Sequence, residues 1–347
     1  MRSTASITFL IALVASAGLT APVRAFALHI GMVDNPGARK IHLKPMPLLG
    51  GLAIYFAFVL AVLYAARGTT DAQILSILAG ATLMVLVGCL DDRGLLHHQV
   101  KLFLAMPCAA TILWFAGIRA VFFSFILAGQ IGVILDGLLT IIWITGIIAA
   151  FSILDHMDGL CAGVTAIAAG FFTIGSAITG QFLVCSLSAA VLGATVGFLI
   201  WNFNPAKIFM GDGGAMLLGF LIACLSLKIR LPATLGLSGS LIPVLILAVP
   251  VLDTALVSVS RSRRGLLPFT SPGKDHTAHR LSNLGLGARS SVLVLYAFGI
   301  AGGTLGVFLL RSATHPSRLL LPLGLAILAA AIILLENAPY DAPHRSR

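Results

Sequence analysis

Charge is scarce in this chain. Asp, Glu, Lys and Arg make up 10% of its 347 residues, where a soluble domain of this size carries about a quarter. Hydrophobic residues make up 59% and the mean hydropathy is +1.04, which excludes the soluble classes and points to an integral membrane protein. Short strands of alternating apolar and polar residues are also missing, which excludes a transmembrane barrel. Cysteines are few: Cys89, Cys108, Cys161, Cys185 and Cys224 sit in or at the ends of apolar stretches with no CxxC pair. They read as small packing residues and not as a disulfide frame or zinc site. There is no internal repeat and no basic run longer than Arg261-Ser262-Arg263-Arg264. With no soluble domain to hold a duplex, the net charge of +10 marks membrane topology, and no nucleic acid is expected as a partner.

What the chain has in abundance is apolar stretches of about 20 residues, each long enough to cross the hydrocarbon core as a helix. The expected fold is an all-α integral membrane protein of 10–11 transmembrane helices, over 4–23, 47–66, 73–90, 101–118, 132–150, 159–178, 182–200, 213–228, 239–258, 289–310 and 318–335. The piece 118–130 is too short to span with its neighbours and reads as a hairpin or re-entrant segment. Residues 1–347 are read as one domain, with 1–23 as the first transmembrane helix and 336–347 as a hydrophilic tail. The start, 1–25, also has the makeup of a signal peptide, but a retained helix keeps the following polar segment on the same side as the others.

Loops after the odd-numbered helices, together with the C-terminus, hold 15 of the 22 Lys and Arg residues, against 7 on the other side. The positive-inside rule assigns the first group to the cytoplasm. The polar residues gather there too. The first such loop contains Asp34, Arg39, Lys40, His42 and Lys44, followed by Gly50-Gly51. The second has Asp91-Asp92-Arg93, His97, His98 and Lys101, and the third has Asp155-His156-Met157-Asp158-Gly159. The fourth runs Asn202-Phe203-Asn204-Pro205-Ala206-Lys207-Ile208-Phe209-Met210-Gly211-Asp212-Gly213-Gly214, and the fifth joins 261–264 to Lys274-Asp275-His276-Thr277-Ala278-His279-Arg280.

Acidic side chains near membrane depth mark function. A carboxylate beside a glycine cluster that opens a helix suits a metal and a phosphate, since glycine lets the backbone approach and helix N–H groups favour anions. Asp91 and Asp92 are adjacent, so on a helix they diverge. Asp155 and Asp158, three apart, share a face if helical, as do His276 and His279; Asp155 also reads as a helix N-cap. Carboxylates suit Mg²⁺, a hard ion that shares its shell with phosphates and water. Arg39, Lys40, Lys44, Lys207, His276, His279 and Arg280 are the cations available to phosphate oxygens. Without thiol ligands, the set points to phosphoryl transfer. The run 261–264 reads as a headgroup anchor.

Together these loops resemble the polyprenyl-phosphate N-acetylhexosaminyl-1-phosphate transferase family. The resemblance covers 30 to about 285, with the motifs in order: Asp34-x-Pro36-x-x-Arg39-Lys40-x-His42, Asp91-Asp92-Arg93, Asp155-x-x-Asp158-Gly159-Leu160, Asn202-x-x-Pro205-Ala206-Lys207-Ile208-Phe209-Met210-Gly211-Asp212, and Asp275-His276-x-x-His279-Arg280-Leu281. It implies transfer of a sugar 1-phosphate from a UDP-sugar donor to a polyprenyl phosphate acceptor, with UMP released. The setting it implies is a bacterial inner membrane, with the site facing the cytoplasm, and it leaves room for a homodimer. By the same resemblance Asp212 and Asp155 are ligands of Mg²⁺, or of Mn²⁺ in its place. Asp91 and Asp92 help with the metal or activate the lipid phosphate, and Asp155 and Asp158 line the nucleotide–metal site. Asn202 and Phe209 sit near the nucleoside, and His276, His279 and Arg280 hold the diphosphate or sugar. Lys101 falls where a basic residue is usual, and Lys44 is a looser match. Arg39, Lys40, His42 and Lys207 belong to the substrate-binding set.

Two departures stand out. The family has Asn-x-x-Asn just before the third motif, where this chain has Ala149 and Ser152. That keeps open a degenerate member that binds lipid or nucleotide without turnover. A membrane transporter is the alternative from another class, though its charges would sit at the midplane. The Asp155-x-x-Asp158-Gly159-x-x-Ala162 run also resembles the start of a CDP-alcohol phosphotransferase motif, but Gly163 replaces the expected Arg.

Overall fold

The computed structural model describes residues 2–35, 45–67, 71–127, 129–232, 235, 239–266, 273, 275–312 and 320–339. A two-residue ribbon pairs β1 (Val33–Asp34) antiparallel with β2 (Met46–Pro47). Among the described residues the rest of the regular structure is helical: α1 (Arg2–His29), α2 (Gly50–Ala65), α3 (Ala72–Asp92), α4 (His98–Val100), α5 (Met106–Phe115), α6 (Phe123–Ile126), α7 (Gln130–Leu154), α8 (Leu160–Ile178), α9 (Phe182–Asn202), α10 (Gly211–Lys228), α11 (Ile242–Ile246), α12 (Ala248–Arg263), α13 (Thr277–Leu281), α14 (Gly287–Ser312) and α15 (Leu320–Glu336). π-helical turns at Lys101–Ala105 and Ser282–Leu286 lead into α5 and α14. Among the described residues seven helical runs are long and apolar enough to cross a membrane, and α2, Lys101–Phe115 and α15 are shorter apolar helices. The protein is an all-α integral membrane protein.

The eleven sequence-derived spans all fall on these helices, with one correction. The stretch 239–258 is not one straight helix: α11 and α12 meet at Leu247 with a bend of 82°. Pro250 explains the break, because it has no N–H for the Ile246 carbonyl and its ring crowds that carbonyl.

The chain forms two compact units, Met1–Leu231 and Pro232–Arg347. In the first, α10 is the central element, buried along nearly its whole length and packed by α2, α3, α7, α8 and α9. A helix that is apolar all round belongs in such a position. Glycines set how closely its neighbours approach. A Cβ on Gly88 of α3 would collide with the backbone of Gly213, and one on Gly51 of α2 with that of Gly214. On the far side, α1 lies against α9 through Gly193 and Gly197, whose Cα atoms face the carbonyls of Phe9 and Leu13. Small residues four apart are the usual device for such close membrane packing. The Trp201 indole donates to the Ala17 carbonyl across this seam at 3.0 Å.

The piece 118–130 holds the one-turn helix α6. Asp136, buried on α7, accepts from the N–H groups of Phe122, Phe123 and Ser124 at 3.0, 2.6 and 3.1 Å, and from the Ser124 hydroxyl. This carboxylate, which the sequence reading passed over, caps α6 and holds the turn against the end of α7.

In the second unit α14 packs on α11 and α12, and α15 on α12. Gly302 brings α14 against the Leu245 carbonyl.

Candidate active site

At one end of the first unit the helix termini are joined by their own orphan groups. The N–H groups of Gly50 and Gly51, which open α2, donate to the carbonyls of Phe209 and Met210 at 3.0 and 2.9 Å. The Phe209 N–H donates to Pro47 at 2.9 Å. The first and fourth polar loops are thus paired backbone to backbone. The third and fourth are tied by side chains. Asp158 accepts from the Asn204 amide and the Ala206 N–H, both at 3.0 Å. Asn202, buried, accepts from the Gly159 N–H at 3.1 Å and donates to the Ile208 carbonyl at 3.0 Å. Arg24 donates to the Lys207 carbonyl at 3.0 Å, and the Lys207 ammonium lies 5.6 Å from the Trp201 ring centroid.

Within this frame sits an acidic cluster. Asp91 and Asp92 end α3 and do diverge. Asp91 faces Lys101, whose ammonium is 2.5 Å away and lies 2.6 Å from Asp212 on its other side. Asp92 turns instead to the start of α10 and accepts the Asp212 N–H at 2.8 Å. That corrects one expectation. The helix N-terminus behind the glycine cluster is occupied by the protein's own carboxylate, not left open to a phosphate, and Gly213 and Gly214 serve helix packing. Gly211, at φ 71°, makes the turn into α10 where a Cβ would strike Asp92.

Asp155 and Asp158 do not share a helical face, and Asp155 is not an N-cap. They lie in the turn between α7 and α8, where Asp155 follows the last residue of α7 and Gly159, left-handed at φ 75°, precedes α8. Burial, then the carboxylates of Asp212, Asp92 and Asp158, push the Asp155 carboxyl up to about 8. The structure therefore brings Asp91, Asp92, Lys101, Asp155 and Asp212 into one electrostatic group. Arg39, Lys40, His42 and Lys44 lie outside the described residues.

The donor chemistry suits a hard divalent ion: carboxylate oxygens only, with a surplus of negative charge facing one ammonium. Among the described residues no three His, Cys, Asp or Glu side chains are spaced to chelate an ion by themselves. Mg²⁺ does not require that, since it binds through one or two carboxylates plus phosphates and water.

The second unit carries its own polar knot. Asp275 is gripped by Arg261 through Nε and Nη2, both at 3.0 Å, and by Arg264. Those guanidinium groups hold its carboxyl well below the usual range, the ordinary effect of opposite charge and donated hydrogen bonds. Arg261 is buried, so the headgroup-anchor reading does not apply to it. Arg280 is fully buried. It donates to the carbonyls of Asp275, Leu335 and Glu336 at 2.9, 2.8 and 3.1 Å and to the Ser260 hydroxyl at 2.7 Å, and it pairs with Glu336 at 3.1 Å. It caps the end of α15. His276 precedes α13 and His279 lies within it, their ring centroids 6.4 Å apart. Asp253, in the middle of α12, is the residue here that sequence reasoning missed. The signal was available, since it is a lone acid in an apolar run.

The family model for glycosyl transferase family 4 matches residues 74–230. A relative from Bacillus subtilis (strain 168), a probable undecaprenyl-phosphate N-acetylglucosaminyl 1-phosphate transferase, is 37% identical over 311 residues, covering 89% of this chain and 85% of its own length. The chain belongs to glycosyl transferase family 4. A decaprenyl-phosphate N-acetylglucosaminephosphotransferase of Mycolicibacterium smegmatis is 33% identical, with 90% of this chain and 83% of the relative covered. The undecaprenyl-phosphate alpha-N-acetylglucosaminyl 1-phosphate transferase of Escherichia coli (strain K12) is 27% identical, with 87% and 83% covered. The part matched by the glycosyl transferase family 4 model contains the whole acidic cluster and Lys101, while the knot around Asp275 lies beyond it.

Proposed function

We propose that this protein transfers N-acetylglucosamine 1-phosphate from its UDP-sugar to a polyprenyl phosphate, releasing UMP and starting a lipid-linked envelope glycan. It is a phosphotransferase of a multi-pass membrane protein class, and all three relatives described carry that activity in their names. The observation that carries the reading is the Lys101 ammonium held between Asp91 and Asp212 at the end of a membrane bundle.

The reaction sets one phosphate against another. Its main barrier is the repulsion of two anions, so the protein's contribution is positioning and electrostatic screening. Lys101 supplies a cation on a flexible stem that can follow phosphate oxygens. Asp212 and Asp155 are the residues that would hold Mg²⁺, which when bound neutralises charge on the diphosphate. Asp91 and Asp92 keep Lys101 and the start of α10 in register with those two. Asp158 and Asn202 act by fixing the loop that carries Lys207 and Phe209. Arg39, Lys40, His42 and Lys44 supply further cations or donors for the substrate phosphates, His279 binds diphosphate or sugar, and His276 binds the sugar. Arg280, spent on the end of α15, supports their helix.

The site faces the cytoplasm of a bacterial inner membrane, where the nucleotide sugar is found and the basic loops are retained. Ser152, at one position of the missing amides, has a buried hydroxyl without a hydrogen bond among the described residues. The test is extraction: radiolabel from UDP-N-acetylglucosamine should pass to the organic phase only with polyprenyl phosphate present, and not in EDTA. Label that enters sealed vesicles without joining a lipid would support a transporter instead.

A further inference from the structure

We infer that Asp253 is the positioning residue for His276: it fixes the ring and keeps its proton on Nδ1, which makes Nε2 the acceptor nitrogen of the ring. Asp253 is 1% exposed, in the second turn of α12, and one of its carboxylate oxygens lies 3.0 Å from His276 Nδ1. Its other oxygen accepts the Thr277 N–H and the Thr277 hydroxyl, each at 2.7 Å. Two donors on one oxygen favour the ionised carboxylate, which accepts only, and on this inference the second oxygen has the Nδ1–H as its donor. The same contacts cap α13, because Thr277 is its first residue and Asp253 satisfies an N–H that helix geometry leaves orphaned. Turning the His276 ring away would break its bond to Asp253, while the Thr277 bonds hold the backbone beside it.

A carboxylate on the far nitrogen is how a protein chooses one imidazole tautomer. Swapping such a carboxylate for an amide preserves the shape but presents an N–H where an acceptor stood, which reverses the tautomer. The neighbouring Arg–Asp275 pairs and the Arg280 cap hold the rest of the knot.

The first arm of the test needs no substrate. Nitrogen-15 long-range correlation spectra of the full chain in detergent, assigned by difference from His276→Gln, should show His276 as the Nδ1–H tautomer. An Nε2–H ring in the wild-type protein overturns the inference. In Asp253→Asn the ring should switch to Nε2–H. The second arm rests on the transferase reading: kcat should fall on the order of 10²-fold or more while KM for the nucleotide sugar changes little. A wild-type kcat in that variant overturns the inference. A wild-type protein with the expected tautomer and no transfer would count against the transferase reading alone.

Discussion

Lys101 and Asp212 are 111 positions apart in the chain and 2.6 Å apart in space. Lys101 stands on a π-helical turn, and Asp212 stands one residue into α10. π turns re-aim a side chain at functional sites. Here the turn accompanies an ammonium set between two carboxylates from separate helices.

Removing that ammonium leaves Asp91 and Asp212 facing each other uncompensated. Lys101→Met should lower kcat by about 10²-fold or more, the size of one lost transition-state donor. It should destabilise the fold by about 1–3 kcal/mol, read as a lowered Tm in detergent. Lys101→Arg should recover stability better than activity, because a planar fork does not replace a point charge.

Asp92 can be tested for its capping role apart from its charge. Asp92→Ala should cost about 1–2 kcal/mol as the start of α10 loses its cap. Asp92→Asn keeps an acceptor and should cost less than half of that. Thermal unfolding of the two variants side by side is the check, and equal losses would mean the bond to the Asp212 N–H is not what Asp92 contributes to stability.

The close seam between α3 and α10 has its own signature. Gly88→Ala puts a methyl group into the Gly213 backbone and should cost about 1–3 kcal/mol, as overpacking does. Gly146→Ala has open space and should be neutral or slightly stabilising, as expected for Gly→Ala in a helix. Chemical or thermal unfolding compares them.

The fold was legible because membrane helices announce themselves by length, and the gathering of Asp91, Asp92, Lys101, Asp155 and Asp212 because their motifs keep their order. What was not legible was contact made across distance. Asp253 reads as an isolated acid until α13 brings Thr277 and His276 to it, and Asp136 until the chain turns at 122–124. The glycines of 211–214 read as a phosphate cradle because sequence shows their flexibility and not that Gly51 and Gly88 already fill the space beside them. Pro250 was a visible break signal, but the apolar run around it outweighed it. Asp155 and Asp158 have helical spacing, yet α7 ends at Leu154 and α8 begins at Leu160, so both lie in the turn between the two helices.

The Asp275 knot predicts a pH dependence. Its folded-state carboxyl lies below its unfolded value, so its stabilisation is fully present above the unfolded value of about 3.9 and fades as pH falls toward the folded one. The Tm gap between wild type and Asp275→Asn should therefore persist from pH 8 down to about pH 5 and narrow only below about pH 4. A gap that closes near neutrality would contradict the Arg261 and Arg264 pairing.

The most direct measurement is UMP release by purified protein with polyprenyl phosphate, Mg²⁺ and a panel of UDP-N-acetylhexosamines, run beside Asp212→Asn protein shown to be folded. The account predicts acceptor-dependent, EDTA-sensitive release by the wild type and none by the variant. Wild-type turnover in folded Asp212→Asn would contradict it.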